Sequence, residues 1–248
     1  MAPLSVDELT VKIFADGADL NGIKEAAAQP VVRGFTTNPT LMRQAGVSDY
    51  KRFALDVLNF IPDRPVSFEV FADDFPTMEG QAREIASWGG NVYVKIPVTN
   101  TKGEFAGPSL TRLSAAGVKL NVTAVMTNMQ VKRIAACLAE NVPAIVSVFA
   151  GRIADTGRDP VPLMREAVAL LESRPKAELL WASPRELLNI FQADAIGCHI
   201  ITVTSDLIKK LALVGKDLDQ YSLDTVEMFR KDALSAAFTI PVGSECAA

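Results

Sequence analysis

Eight short runs rich in Val, Ile, Phe and Leu recur along the chain, and a longer segment with helical periodicity follows each of them. This alternation predicts β/α units and a parallel sheet. Eight units without a ninth strand favour a closed (β/α)8 barrel over an open doubly wound sheet, which more commonly has about five or six strands. The predicted strands are 11–15, 32–36, 66–71, 92–96, 118–123, 144–149, 178–182 and 199–203.

The composition supports one large domain. With 248 residues, of which 49% are hydrophobic and 22% charged, the chain has enough apolar material for a large core, which excludes a disordered or fibrous protein. Barrels of this kind commonly have about 200 to 250 residues, so we expect a single α/β domain, a (β/α)8 TIM barrel, over residues 1–248. Leu223, Val226 and Phe229 predict an extra helix within about residues 222–237, in a C-terminal helix and tail of about 213–248.

Charge and motif content exclude several classes of function. The formal net charge is -4, and basic residues do not cluster with aromatic residues, which argues against nucleic acid or an anionic membrane as a partner. Apolar stretches end well before the roughly 20 residues that a membrane span needs. Asp7 and Glu8 stand where a signal peptide carries positive charge. We therefore expect a soluble, cytoplasmic protein.

The sequence predicts neither a metal nor a cofactor. Cys137, Cys198 and Cys246 lie far apart and form no C-x-x-C pair, which indicates a reducing compartment and no zinc site. No glycine-rich dinucleotide motif follows a predicted strand. His199, the single histidine, opens the eighth strand on the parity that faces the helices, and we interpret it as structural.

One parity of the predicted strands is polar. Alternate residues of a barrel strand face the axis, and the polar ones lie toward the C-terminal end of each strand, where barrel enzymes build their sites. The alternative is that these polar side chains only fill the core. Burying a lysine, two acids and two asparagines for packing alone would cost much free energy of folding. The residues of this parity include Asp16, Thr36, Asn38, Glu69, Lys95, Asn121, Thr123, Ser147, Phe149, Trp181, Ser183, Thr202 and Thr204.

Lys95, near the end of the fourth predicted strand, is the strongest candidate for a catalytic residue. An ammonium there is poorly hydrated, which favours a neutral amine that can attack a carbonyl to form a Schiff base. Lys95 can equally be a salt-bridge partner of Asp16 or Glu69, and both interpretations can hold together. The two carboxylates can move protons during such a reaction, with Thr123 helping Glu69 to hold a water.

Anion-binding candidates follow strands six and seven. Arg152 lies in the loop after strand six, and Arg185 lies at a predicted helix start, Ser183-Pro184, near where barrels commonly bind phosphate. Ser183 and Glu186 also match a capping box, so the Ser183 hydroxyl can be a helix cap, a phosphate ligand or both. Other predicted helix starts with proline are Asn38-Pro39, Gly107-Pro108 and Asp159-Pro160.

Four motifs together resemble the transaldolase family, including its smaller fructose-6-phosphate aldolase branch. They are Gly-Phe-Thr-Thr-Asn-Pro-Thr-Leu at 34–41, Val-Lys-Ile-Pro-Val-Thr at 94–99, Asn-Val-Thr-Ala-Val at 121–125 and Gly-Arg-Ile-Ala-Asp-Thr-Gly at 151–157. The resemblance extends over about residues 11–212. It implies that Lys95 is the Schiff-base lysine, that Asp16 is the acid/base for C–C cleavage, and that Glu69 with Thr123 holds the catalytic water.

The resemblance also implies the residues that bind substrate. Donor hydroxyls are expected at Asn38, Asn121 and Ser147, with Thr36 and Phe149 in the same pocket, and the sugar phosphate is expected at Arg152, Ser183 and Arg185. Three positions depart from the family pattern, and they leave the sugars open: Gly17, Val148 and Pro184. The resemblance further implies a homo-oligomer that needs no cofactor.

Two positions favour one branch. The aldolase branch usually has Gln where this chain has Glu69 and Tyr where it has Phe149. The resemblance therefore favours a transaldolase of the pentose phosphate pathway, which transfers a dihydroxyacetone unit from a ketose phosphate, such as fructose 6-phosphate or sedoheptulose 7-phosphate, to an aldose phosphate. The alternatives are a lyase that releases dihydroxyacetone and a sugar-phosphate-binding protein without catalysis.

Overall fold

Eight parallel strands close into one barrel, with neighbours in sequence order and β8 paired to β1. A computed structural model describes residues 5–240. Within this range the predicted (β/α)8 TIM barrel is confirmed. The strands are β1 (Lys12–Asp16), β2 (Val32–Thr36), β3 (Val66–Glu69), β4 (Val92–Pro97), β5 (Leu120–Val125), β6 (Ala144–Val148), β7 (Ala177–Trp181) and β8 (Ile200–Thr204).

Helices follow the strands, and most begin at a side chain that caps the free backbone N–H groups of the first turn. Asp19, Asn38, Asp49, Asp74 and Asp159 cap α1 to α4 and α8 in this way. The helices are α1 (Leu20–Ala27), α2 (Pro39–Gln44), α3 (Tyr50–Phe60), α4 (Phe75–Ala86), α5 (Gly107–Ala115), α6 (Asn128–Cys137), α7 (Ala150–Ala154), α8 (Pro160–Leu171), α9 (Leu188–Ala195), α10 (Ser205–Lys210) and α11 (Leu218–Ser235), with a 3-10 helix (Leu211–Leu213) before α11.

Three of the four predicted proline-marked helix starts are confirmed, and the fourth is wrong. Helices α2, α5 and α8 begin at Pro39, Gly107 and Pro160. After β7, however, the helix begins only at Leu188. Ser183 has a φ of 57°, in the left-handed region, so it does not enter a helix as a capping residue would. Asn189 Oδ1 instead accepts the backbone N–H groups of Arg185 and Glu186, at 2.7 and 3.2 Å.

The two parities of the strands build two separate cores. One parity packs against the surrounding helices, and the other fills the axis. The axial cluster consists of Phe14, Tyr93, Ile145, Leu180, Ala182 and Ile200, with Phe149 packed against it. The predicted axial parity is wrong for β7, because Leu180 and Ala182 face the axis while Trp181 packs in the outer core. The one polar residue of β7, Glu178, has the parity of the axial residues, but Ser183 beyond the strand end favoured the parity of Trp181.

The chain divides into two compact units. One is Asp7–Leu211, which contains the barrel, and the other contains residues 212–240 of the described part of the chain. In the second unit, α11 confirms the predicted extra helix, and Lys216 pairs with Asp224. The expectation that all residues form one domain stays a prediction. Within residues 5–240, no helix is both long and apolar enough to cross a membrane.

The barrel axis leaves no room beside Phe14, and this gives a stability prediction. A Cβ atom added to Gly34 would lie 2.5 Å from the Phe14 ring, which is itself buried. We expect Gly34→Ala to lower the free energy of unfolding by roughly 1–3 kcal/mol, since overpacking forces the core to shift. Urea unfolding measures this loss. Gly80→Ala is the control, because Gly80 is exposed on α4 and nothing lies within 4 Å of a Cβ atom added there. Equal stabilities of both variants would contradict the prediction.

Candidate active site

A cavity of about 520 Å³ opens at the C-terminal ends of the strands. Ten of the twelve predicted site residues line it, and Asn121 and Arg185 do not. Strand register explains the convergence, because Glu69 pairs with Lys95 across β3 and β4, and Asp16 pairs with Thr36 across β1 and β2. The lining residues that were predicted are Asp16, Thr36, Asn38, Glu69, Lys95, Thr123, Ser147, Phe149, Arg152 and Ser183.

Lys95 and Glu69 form a buried contact on the cavity wall. Lys95 Nζ donates to Glu69 Oε1 at 2.5 Å and to the Thr37 carbonyl oxygen at 2.5 Å. Their side chains are only 10% and 8% exposed. Burial raises the pKa of Glu69, while the charge of Lys95 and the hydrogen bonds from Lys95 and Thr37 act in the opposite direction. Because burial has the larger effect, the Glu69 carboxyl is a group that readily takes up a proton.

Asp16 lies on the opposite side of the same polar layer. Its Oδ1 accepts from Thr36 Oγ1 at 2.8 Å, and its Oδ2 accepts from Asn38 Nδ2 at 3.2 Å. Burial raises the pKa of Asp16, against the charge of Lys95 and these two hydrogen bonds. Thr202 Oγ1 lies 2.6 Å from Thr36 Oγ1 and extends the network across β8. The carboxyl is therefore fixed in direction, and its pKa lies above the ordinary value.

Asn38 has its orientation fixed by the helix that it caps. Its Oδ1 accepts the backbone N–H of Leu41 at 3.0 Å, at the start of α2. Because the cap uses the amide oxygen, the Nδ2 group is the one that faces Asp16. Pro39 at the first helical position strengthens this start. The Asn-Pro sequence thus positions a hydrogen-bond donor at the cavity.

Asn121 lies beneath the cavity surface and connects two serines. Its Nδ2 donates to Ser67 Oγ at 3.0 Å, and its Oδ1 accepts from Ser147 Oγ at 2.7 Å. Of these three, only Ser147 lines the cavity. Next to this row, Thr123 Oγ1 is buried, and no described residue forms a hydrogen bond with it. A buried hydroxyl in that state is a binding position for a water or a substrate oxygen.

The predicted phosphate ligands are separated in the structure. Arg152 and Ser183 line the cavity, and the Arg152 guanidinium lies 5.3 Å from the centre of the Phe149 ring. Arg185 instead pairs with Asp155, half exposed to solvent. Gly151 is required at this rim, since a Cβ there would lie 1.5 Å from the Ser183 carbonyl oxygen. The loops after β6 and β7 therefore pack backbone against backbone.

Sequence reasoning missed two residues that contact the Lys95 and Glu69 pair. Thr37 accepts from Lys95 through its carbonyl, and its Oγ1 lies 3.0 Å from Glu69 Oε2. Its place in the Thr-Thr-Asn-Pro segment after β2 was a usable signal, but its parity is not the polar one. Tyr50 binds the backbone of Glu69 from α3. No sequence pattern links Tyr50 to a strand end.

In the part of the chain that the structure describes, no histidine or cysteine side chain lines the cavity. His199 Nδ1 accepts the Leu179 N–H at 3.0 Å, and burial lowers the pKa of this histidine. Burial raises the pKa of the Cys198 thiol to about 12, and Cys137 is also free. Cys246 lies outside the described residues. Among residues 5–240, no group of three His, Cys, Asp or Glu side chains could hold a metal ion.

The chain is similar to known proteins along most of its length. The family model described as transaldolase/fructose-6-phosphate aldolase matches residues 13–240. A probable transaldolase of Dehalococcoides mccartyi is 36% identical over 202 residues, which cover 81% of this chain and 90% of that protein. A probable transaldolase of Caldicellulosiruptor saccharolyticus is 32% identical over 228 residues, 90% of this chain and 100% of that protein.

A solved structure supports the fold alone. The crystal structure of KGPDC from Streptococcus mutans superposes with a TM-score of 0.56 at 10% sequence identity. The match covers 84% of this chain and 99% of that chain. Similarity at this level of identity extends to the barrel architecture and not to the chemistry of the site.

The pKa of Asp16 gives a pH-dependent stability prediction. Because burial raises this pKa above the unfolded value of 3.8, the folded protein binds the proton more tightly than the unfolded chain. The stabilisation is present below the unfolded pKa and is lost as the pH rises through the folded pKa. We expect the free energy of unfolding of wild type to fall relative to Asp16→Asn as the pH rises above 3.8, until the folded carboxyl is ionised.

Asp194→Asn is a control of opposite sign. Burial opposes the ionised form of Asp194, but hydrogen bonds from Val11 and Thr10 lower its pKa below the ordinary value. Relative to this variant, wild type should gain stability as the pH rises toward the unfolded value of 3.8, with no further gain above it. Urea unfolding at several pH values measures both differences. If the free energies of unfolding of wild type and Asp16→Asn depend on pH in the same way, the raised pKa of Asp16 in the folded protein is contradicted.

Proposed function

The chain belongs to the transaldolase/fructose-6-phosphate aldolase family, and we propose that it is a transaldolase. It transfers a dihydroxyacetone unit from a ketose phosphate, such as fructose 6-phosphate or sedoheptulose 7-phosphate, to an aldose phosphate through a Schiff base on Lys95. No cofactor takes part, and the reaction belongs to cytoplasmic pentose phosphate metabolism. The observation that carries the proposal is the buried Lys95 amine, which contacts Glu69 in a cavity shared with the Asp16 carboxylate.

Formation of the nucleophile begins with the Lys95 and Glu69 contact. A proton that moves from the Lys95 ammonium to Glu69 removes two buried charges, a change that burial favours. The lone pair of the free amine then attacks the ketose carbonyl carbon and gives a carbinolamine. When the carbinolamine hydroxyl receives a proton and leaves as water, the C=N bond of the iminium forms.

A water between Thr123 and Glu69 can carry these protons. Both side chains line the cavity, and Thr123 Oγ1 is buried without a hydrogen bond to a described residue. A water at this position would satisfy the Thr123 hydroxyl and extend the reach of the Glu69 carboxyl to the substrate oxygen. The same water can attack the iminium carbon when the three-carbon unit is released by hydrolysis.

Asp16 then acts on the hydroxyl of the carbon that leaves. Its carboxylate takes the proton of the C4 hydroxyl, the C3–C4 bond breaks, and the electron pair of that bond moves to the iminium to form an enamine. The aldehyde fragment leaves. When an aldose phosphate binds, the enamine attacks its aldehyde carbon, and Asp16 returns the proton to the new alkoxide. The raised pKa of Asp16 suits a group that must both take and give a proton.

Substrate positioning falls to the rest of the cavity wall. Thr36, Asn38 and Ser147 offer hydrogen bonds to the donor hydroxyls, and Asn121 orients Ser147 from below. Arg152 and Ser183 offer a phosphate site at the rim. Arg185 can join this site only if its guanidinium leaves Asp155, so a bound phosphate competes with that carboxylate.

Transfer, and not simple release, is the favoured outcome because of two side chains. By resemblance, Glu69 and Phe149 are the side chains that the transferase branch has at these two positions. Phe149 has no hydroxyl to hold a second water near the enamine. The alternative is a fructose-6-phosphate aldolase-like lyase. Acceptor dependence separates the two reactions, since a transferase turns over only when an aldose phosphate is present.

A homo-oligomer is also part of the proposal. Along α11, apolar side chains that would normally be covered are exposed: Leu218, Leu223, Val226, Met228, Phe229 and Leu234. An exposed apolar patch on a helix marks a surface for association. Together with the resemblance, this supports assembly of identical chains.

Replacing the lysine tests the proposed catalysis. We expect Lys95→Met to lower kcat for the transfer from fructose 6-phosphate to an aldose phosphate by at least about 10³-fold, because the covalent intermediate cannot form. The affinity for the sugar phosphate, measured by calorimetry, should change far less. Lys119→Met is the matched control, since Lys119 Nζ binds the Gly90 carbonyl away from the cavity.

The same pair of variants separates an enzyme from a binding protein. If wild type and Lys95→Met bind the sugar phosphate equally and neither converts it, a sugar-phosphate-binding protein is supported. If only Lys119→Met loses activity, the proposed role of Lys95 is wrong.

Truncation tests the proposed assembly. We expect a chain that ends at Leu213 to assemble into fewer subunits than wild type, because the exposed apolar residues of α11 are removed. Light scattering after gel filtration measures the mass as a multiple of 26.7 kDa for the intact chain. An unchanged number of subunits together with an unchanged melting temperature would contradict a role of this helix in assembly.

A further inference from the structure

Strand β3 has an incomplete neighbour at the point where it carries Glu69. The last backbone bond from the β2 side runs from the Thr37 N–H to the Ser67 carbonyl, at 3.3 Å. Beyond it the chain turns into α2 at Pro39. In a parallel ladder the N–H and C=O of one residue point to the same side, and residues two apart point alike. The backbone groups of Glu69 therefore face the β2 side, where no strand remains.

One phenol takes the place of the missing strand. Tyr50 Oη accepts the Glu69 N–H at 2.7 Å and donates to the Glu69 carbonyl oxygen at 3.1 Å. A hydroxyl can do both because it has one donor hydrogen and two acceptor lone pairs. Tyr50 is the first residue of α3, capped by Asp49. The Tyr50 hydroxyl thus hydrogen-bonds both backbone groups of Glu69, the residue whose carboxyl contacts Lys95.

The Tyr50 ring is itself held in place by aromatic neighbours. Its centroid lies 6.2 Å from Phe68, 4.8 Å from Phe71 and 5.6 Å from Trp88. Edge-to-face and tilted contacts of this kind fix the ring direction. Tyr50 does not line the cavity, so it touches no substrate there. Any effect of its hydroxyl on the reaction must pass through Glu69.

We propose that Tyr50 is a positioning residue, which holds the backbone of Glu69 so that the carboxyl stays against Lys95 Nζ. The inference rests on the proposed function and deepens it. Glu69 Oε1 is 2.5 Å from Lys95 Nζ and Oε2 is 3.0 Å from Thr37 Oγ1, a geometry that a small rotation of the strand end would break. Without the phenol hydroxyl, both backbone groups of Glu69 lose their partner, and the strand end is held only from the β4 side, where the Val70 N–H donates to the Lys95 carbonyl oxygen at 3.1 Å.

Tyr50→Phe tests this inference because it removes the hydroxyl and keeps the ring. We expect kcat for three-carbon transfer to fall on the order of ten-fold, with KM for the ketose phosphate changed much less, since misplaced catalytic groups cost rate more than binding. Amide hydrogen exchange in the peptide that contains Glu69 should become faster, which reports the loosened strand end without substrate. Tyr93→Phe is the control, because Tyr93 belongs to the axial cluster and does not contact Glu69.

A double-mutant cycle separates positioning from general damage. If Tyr50 acts through the Glu69 carboxyl, adding Tyr50→Phe to Glu69→Gln should lower the remaining rate less than two-fold. Equal ten-fold losses in both backgrounds, or an unchanged kcat in the single variant, would overturn the inference while wild type still transfers the three-carbon unit. A wild type without any turnover would contradict the proposed function instead, whatever the exchange data show.

Discussion

Closure of eight strands in a fixed register is the constraint on which the site depends. Once β8 pairs with β1, the strands enclose one space, and the axial side chains at all eight strand ends face it. Register then sets which groups share a level, so that Glu69 lies beside Lys95 and Asp16 beside Thr36. The barrel is packed with apolar side chains below this level, around Phe14. Polar groups that would be hydrated on a surface are thereby removed from water.

Removal from water makes the charged groups responsive to their partners. A buried ion pair is costly unless hydrogen bonds satisfy the remaining atoms. Here Thr37 serves both Lys95 and Glu69, while Thr36 and Asn38 serve Asp16. Burial still raises the pKa of both carboxyls, which makes each a better proton acceptor than an exposed carboxyl. Proton mobility next to a buried amine is what Schiff-base chemistry requires.

The sequence predicts the barrel and much of the cavity wall because both follow from a period of two and from strand ends. Lys95, Asp16 and Glu69 could be placed together for that reason. The same reasoning failed for β7, because the polar Ser183 beyond the strand end favoured the parity of Trp181, which packs outward. Ser183 looked like a helix cap, but a left-handed backbone conformation, which composition does not reveal, delays α9 to Leu188.

Contacts made across separate elements were beyond sequence reasoning. Tyr50 reaches Glu69 only because α3 packs beside the end of β3, and its aromatic neighbours come from two other parts of the chain. The Arg185 pair with Asp155 is of the same kind, since it joins the loops after β6 and β7. Such contacts depend on how helices and loops settle against the barrel. Hydrophobic periodicity specifies the faces of those elements and not their final side-chain partners.

Borohydride trapping tests the central claim, that the buried amine of Lys95 forms a covalent bond with a ketose phosphate. The protein is incubated with fructose 6-phosphate, reduced, and analysed by intact mass and peptide mapping. The account predicts a reduced three-carbon adduct on Lys95, which reports both the Schiff base and cleavage of the donor. An adduct on a different lysine, or no adduct after incubation with either fructose 6-phosphate or sedoheptulose 7-phosphate, would contradict it.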